Sequence, residues 1–195
     1  MIPIIIDPET TAVALVGRGE AACRRLEALL AGGAGRLAVF SDEPSAELAE
    51  IAGERLRRWL PSADDLARLR ALWIADLPLG QAAPMAALAR ALGVLVNVED
   101  VKAWCDFHNP AIVRRGDLLL TVSTAGKSPG LAARIRQQLA QSFGPEWALR
   151  VQQLGVSRQM WRRRTRSLSE LGRLTDALIA RRGWLSRPAS RGSIR

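Results

Sequence analysis

The sequence predicts an α/β fold: an N-terminal Rossmann-like parallel sheet, a middle segment and a C-terminal helical domain. Three observations predict it. Short apolar runs at residues 12–16, 36–40, 71–75 and 94–98 end at glycine, acidic or polar turns and read as buried parallel strands. Helical patterns lie between them, so strand and helix alternate over roughly residues 1–110. The charge then changes character. Residues 151–195 hold 11 Arg against two acids, whereas residues 1–150 balance 17 basic with 17 acidic side chains, so the formal net charge of +9 belongs to the C-terminal segment.

The chain opens on an apolar lead-in or short strand, Ile2 to Ile6, ended by Asp7-Pro8. The strand Ala12 to Val16 runs into Gly17-Arg18-Gly19-Glu20-Ala21-Ala22, which fits G-x-G-x-x-A, and Leu26, Leu29 and Leu30 then share one helical face. Gly32, Gly33 and Gly35 stop that helix, and Arg36 to Phe40 is a second strand ending at Ser41-Asp42. Asp42 follows Gly17 by 25 positions, roughly where a ribose hydroxyl needs an acceptor. A glycine triplet alone is a weak signal, and a turn that binds nothing competes with it. Set between a strand and a helix, with Asp42 in place, it points to a dinucleotide.

Ser45 to Ala52 reads as a short helix capped by Ser45, Arg55 to Leu60 as a short strand, and Pro61 to Leu66 as a turn into a helical step. Pro84 to Leu92 is a helix stopped by Gly93, and Val94 to Val98 is a β-branched strand leading into Glu99-Asp100. In such a sheet ligands sit outside the carboxyl ends of the strands. Gly17–Ala22, Ser41-Asp42, Asp76-Leu77-Pro78 and Asn97–Asp100 all fall there and are expected to line one crevice.

Beyond it, Ala111–Val113 and Leu118–Ser123 are extended and joined by Arg114–Asp117. Ser128 as N-cap with Pro129 at the first helical position starts a helix to about Phe143, which Gly144-Pro145 breaks. Leu154, Leu168, Leu171, Leu174 and Leu178 at helical spacing predict a packed helical domain with a solvated arginine face. The residues from Pro188 onward read as a disordered tail.

Composition narrows the classes. No apolar run approaches the roughly 20 residues needed to span a bilayer. The N-terminus has no basic stretch ahead of Asp7-Pro8, so a cytoplasmic location is expected. Cys23 and Cys105 lack metal-type spacing and one histidine excludes a His-rich metal site, so no protein-held metal is expected. The run Trp161–Arg166 is basic, but no recognised nucleic-acid module accompanies it, which argues against nucleic acid as a partner. Gly126-Lys127-Ser128 is not a phosphate loop, because position 121 is Thr rather than Gly and Pro129 follows the serine. Ser128 is either a structural cap or, with Lys127 and the helix amides, an anion site.

The order GRGEAACRR, LVNVED and CDFHNPAIVRRGDLLLTVSTAGKSPGLAARIRQQL resembles the siroheme synthase N-terminal module. The likeness covers about residues 1–190 and is most specific from Asn97 to Leu139. It implies NAD-dependent oxidation of precorrin-2 to sirohydrochlorin, with insertion of Fe2+, as a substrate, by a ferrochelatase activity of the same site. It also implies a homodimer with an NAD-binding domain (1–110), a dimerisation segment (111–143) and an arginine-rich helical domain (144–187), ahead of the tail (188–195). No methyltransferase domain follows, so the preceding methylation is expected from another protein.

The family's aspartate falls on Asp100, its dinucleotide loop on Gly17, Arg18, Gly19, Glu20 and Ala21, and its ribose-side turn on Ser41, Asp42 and Glu43. Lys127, Ser128, His108 and Asn97 are the candidate contacts to substrate, His108 being either a proton relay or a solvated loop residue. Arg18 replaces the middle glycine of the usual G-G-G, and Ala75-Asp76-Leu77-Pro78 replaces A-T-D-D. Oxidation removes a hydride and a proton, and a partly desolvated carboxylate such as Asp100 suits the proton. Glu99, its neighbour, is expected to be surface. Two other readings stay open: a chelatase alone with weakened NAD binding, or a non-catalytic tetrapyrrole- or nucleic-acid-binding protein.

Overall fold

A computed structural model of the chain describes residues 1–185. The tail expected at 188–195 lies outside the described residues. The chain divides into two compact units, residues 1–109 and 110–195.

The first unit is a five-stranded, wholly parallel sheet. Its strands are β1 (Val13–Gly17), β2 (Leu37–Phe40), β3 (Leu56–Arg57), β4 (Ala71–Ala75) and β5 (Leu95–Val98), in the order β3-β2-β1-β4-β5. Between them run α1 (Glu20–Ala31), α2 (Ala46–Ala52), α3 (Ala63–Ala67) and α4 (Leu79–Ala91). β1 and β4 are buried at every residue because helices cover both faces. One face packs Val16, Leu72 and Ile74 with Leu66, Met85 and Ala89; the other packs Leu15, Val39 and Trp73 with Leu26, Leu48 and Ala52.

The local signals work as their chemistry predicts. Ser45 Oγ accepts from the Leu48 amide at 3.1 Å, and Ser62 and Asp65 close a reciprocal capping box. Gly33 turns the chain after α1 with φ +84°. Several boundaries differ from the sequence reading. Residues 2–6 form no strand, and Ile2, Ile4 and Ile5 are exposed. The strand expected over 55–60 shrinks to two residues at the sheet edge. α4 begins at Leu79, not Pro84, because Pro78 fixes the N-cap. Pro84 sits inside it, where the missing N–H forfeits one helical bond.

β5 is the other edge, and the loop after it covers that edge. The Asp106 amide donates to the Val96 carbonyl at 2.7 Å, while its carboxylate accepts from the Val96 amide at 2.9 Å and from Arg90.

The second unit begins with an antiparallel hairpin, β6 (Ala111–Arg115) and β7 (Leu118–Val122). Three helices follow: α5 (Pro129–Ser142), α6 (Trp147–Arg162) and α7 (Leu168–Arg182). Its core is small. Of the leucines at helical spacing, Leu171 is buried, Leu154, Leu174 and Leu178 are half-buried, and Leu168 is exposed. No helix among the described residues is long and apolar enough to cross a membrane.

Candidate functional site

The carboxyl ends of β1, β2, β4 and β5 bring the predicted loop residues together at one edge of the first unit. β1 ends in Gly17, where a Cβ would collide with the Ala75 carbonyl and lie 2.6 Å from Ala22 Cβ. Only glycine lets α1 begin this close to β4. Gly19 is the N-cap of α1 and offers no side chain to its free amides.

Those amides are nevertheless occupied. Asp76, the first residue after β4, accepts hydrogen bonds from Ala21 N at 2.6 Å and Ala22 N at 3.1 Å through Oδ2. Its backbone has φ +55°, a left-handed conformation that glycine adopts freely and asparagine and aspartate more often than other side chains. The sequence placed Asp76 at this strand end without seeing that it caps α1 from across the crevice. A legible signal existed: an acid directly after the strand beside a glycine-capped helix N-terminus, which favours negative charge.

Arg18 replaces the loop's usual small residue and reaches across to β2. Its Nε donates to Asp42 Oδ1 at 2.8 Å and its Nη2 to Asp42 Oδ2 at 2.6 Å, a bidentate pair. Nη2 also donates to Gln81 Oε1 at 2.9 Å, and Glu43 lies 3.9 Å from Nη1. The Arg18 hydrogen bond holds the Asp42 carboxyl below its usual range, and Asp42 raises the guanidinium in turn. Glu20 is exposed and pairs with Arg24 one turn along α1. Ser41 is fully buried, and its Oγ has no hydrogen-bond partner among the described residues, whereas Asp42 and Glu43, which follow it, are exposed.

At the β5 end, Asn97 is buried, 6% exposed, and its amide is spent inside the chain. Nδ2 donates to the Phe107 carbonyl at 2.8 Å, and Oδ1 accepts from Asn109 at 3.1 Å. Asn109 Oδ1 in turn accepts from Trp73 Nε1 at 2.9 Å. Asn97 therefore fixes the loop carrying His108, which is itself exposed, and leaves no free amide to face a substrate.

Asp100 stands in the turn after β5 with φ +63° and is exposed, not partly desolvated as expected, because nothing in its unit covers the turn. Glu99, expected at the surface, instead folds back on Arg25 at 3.5 Å, and both Arg25 Nε and Glu99 Oε2 are buried without a hydrogen bond.

In the second unit Ser128 Oγ accepts from the Leu131 amide at 3.2 Å, capping α5, while its own N–H donates to Thr124 Oγ1 at 3.2 Å. Lys127 is exposed beside it. Among the described residues, no group of three or more His, Cys, Asp or Glu side chains could hold a metal ion.

Comparison with known proteins gives this arrangement a lineage. Residues 4–111 match the family described as "Putative NAD(P)-binding", and residues 115–142 match the one described as "Sirohaem biosynthesis protein central". The siroheme synthase of Methylococcus capsulatus is 36% identical over 141 residues, 71% of this chain and 30% of that protein. The siroheme synthase of Pseudomonas putida (strain F1) is 40% identical over 131 residues, 65% of this chain and 28% of that protein. The chain thus matches under a third of the length of these relatives. The solved structure of SirC, a precorrin-2 dehydrogenase, aligns over 96% of this chain and 94% of its own, with a TM-score of 0.70 and 27% identity. With over half its residues inside the first match and the sirohaem segment directly after it, the chain belongs to the NAD(P)-binding family that forms the N-terminal module of siroheme synthases.

Proposed function

We propose that this chain oxidises precorrin-2 to sirohydrochlorin with NAD. The observation that carries the reading is the shared sheet edge: the glycine loop after β1 and an exposed carboxylate, Asp100, after β5. The relatives named for sirohaem synthesis and the precorrin-2 dehydrogenase SirC support it.

The residues present fit a dinucleotide. Gly17 lets α1 start close against β4, Gly19 keeps the loop free of a Cβ where the Ala21 and Ala22 amides point, and Asp42 would serve the ribose. NAD, when bound, supplies the hydride acceptor. The chain's own task is the proton. Asp100 is exposed and, among the described residues, no hydrogen-bonding or ionic partner holds its carboxylate. It can take a proton from the macrocycle as the carbon beside it loses hydride. Asn97 and the Trp73–Asn109 bond fix the loop that presents His108, which can pass that proton to water. In the second unit Lys127, with the Ser128-capped start of α5, would bind a substrate carboxylate.

Ferrochelatase activity with Fe2+ as substrate is the further part of the proposal: Asp100 would accept the pyrrole protons that leave as metal enters. A homodimer is proposed too, supported by apolar side chains left uncovered on the second unit. A cytoplasmic location suits this chemistry. One observation favours a second reading, a chelatase with weak NAD binding: Arg18 and Asp76 both fill parts of the cofactor cleft.

The test is incubation of the purified protein with precorrin-2 and NAD, read by the absorbance of sirohydrochlorin. The proposal expects turnover that depends on NAD. No turnover by a folded protein, together with metal insertion into supplied sirohydrochlorin, would leave the second reading.

A further inference from the structure

The Asp76 carboxylate lies where a dinucleotide diphosphate would have to go. We propose that Asp76 is the residue that sets this chain's cofactor affinity, as a built-in anion that the diphosphate must displace. This rests on the NAD-binding reading of the loop and adds to it the identity of the competitor.

Four observations meet at this point. Ala21 N and Ala22 N, the free donors of the first turn of α1, both bond to Asp76 Oδ2, at 2.6 and 3.1 Å. The same oxygen would lie 3.0 Å from a Cβ placed on Gly19, so the carboxylate sits in the space the loop glycine keeps open. Arg18, the cation of the loop, is held by both oxygens of Asp42 and by Gln81, and so leaves the incoming phosphates without its charge. Asp76 itself is exposed, with solvent to swing into when displaced.

Hydrogen bonds from amides to an ionised acceptor are stronger than those to a neutral one. A phosphate oxygen entering here therefore replaces a good acceptor rather than filling an empty cradle. It also meets the carboxylate's negative charge at contact range unless the side chain leaves. Asparagine at position 76 removes the charge repulsion and leaves only a weaker, neutral acceptor to displace, while still capping the helix. A cap with no bearing on the cofactor is the competing explanation: it predicts lower stability and unchanged affinity on substitution.

The experiment compares the wild type with Asp76→Asn and with Asp76→Gly, which also relieves the positive φ, after circular dichroism and thermal melts establish folding. Each protein is labelled with 15N, and the Ala21 and Ala22 amide signals are followed through titrations with NAD and, separately, with inorganic diphosphate. The expected result is movement of both signals by NAD, with a dissociation constant at least tenfold lower in the folded variants, about 1.4 kcal/mol. Equal or weaker NAD binding in both variants, with the same two amides perturbed, overturns the proposal and leaves the NAD reading standing. Tighter binding of inorganic diphosphate to those amides in the variants, with no response to NAD in any protein, keeps Asp76 as a plug and removes the NAD reading. No response of the two amides to either ligand in any protein overturns both.

Discussion

In residues 1–109 the apolar side chains close on both faces of the sheet, and Leu15, Leu26, Leu48, Leu66 and Leu72 have no exposed surface. In the described part of the second unit the buried apolar residues are Val113, Ala132, Trp147 and Leu171, while Leu149, Val156 and Leu168 stay more than half exposed. The charges divide the same way: residues 1–109 hold 15 acidic and 11 basic side chains, a formal −4, and residues 110–195 hold 17 basic and 4 acidic, a formal +13. The first unit thus has the makings of a self-sufficient scaffold, stiff enough to hold loop residues at its edge. The second leaves apolar surface that its own helices do not cover, together with a cationic face suited to polyanions. The difference suits the proposed division of labour, with precise positioning in the sheet and attraction of substrate and assembly in the second unit.

Truncating one leucine in each unit gives the largest contrast. Leu15→Ala opens a cavity between packed layers and is expected to cost about 2–5 kcal/mol in chemical denaturation. Leu168→Ala is expected to change the stability of the isolated subunit by less than about 0.5 kcal/mol. Equal costs would contradict the difference in packing between the two units. Gly17→Ala comes next. Its Cβ has no room against the Ala75 carbonyl and Ala22, so a loss of about 1–3 kcal/mol is expected, with loss of NAD binding by calorimetry.

The smallest effect concerns acid. Asp42 and Asp65 have carboxyls lowered by Arg18 and by the Ser62 cap, respectively. A lowered folded pKa means that the stabilisation is present above the usual carboxylate pKa of 3.8 and is lost as pH falls through the lowered values. Both groups are near the surface, so the effect is small and, for the Arg18–Asp42 pair, weakens further with salt. Denaturation midpoints measured below about pH 4 should fall more steeply in the wild type than in Asp42→Asn.

Much of the fold was legible because the parallel strands are continuous apolar runs, and Ser45 and Ser128 announce their helices. The start of α4 was less so: Pro84 looks like a first-turn residue, but Pro78 had already set the cap. The glycine loop and Asp42 were readable from spacing. What spacing could not show was which side chains answer one another across the crevice. Arg18 closing on Asp42, Asp76 capping α1 and Glu99 folding onto Arg25 depend on strand order, which places residues 55 and 74 positions apart side by side. Burial was equally hidden. Ser41 and Asp100 both follow strand ends, yet one is enclosed and the other exposed.

In the proposed reaction Asp100 handles the proton while the β1 loop holds the dinucleotide. The most direct measurement is precorrin-2 turnover by the wild type and Asp100→Ala at saturating NAD, with NAD affinity measured in parallel. A loss of about 10²–10⁴-fold in turnover is expected, with NAD affinity unchanged. Turnover in Asp100→Ala equal to that of the wild type would contradict it.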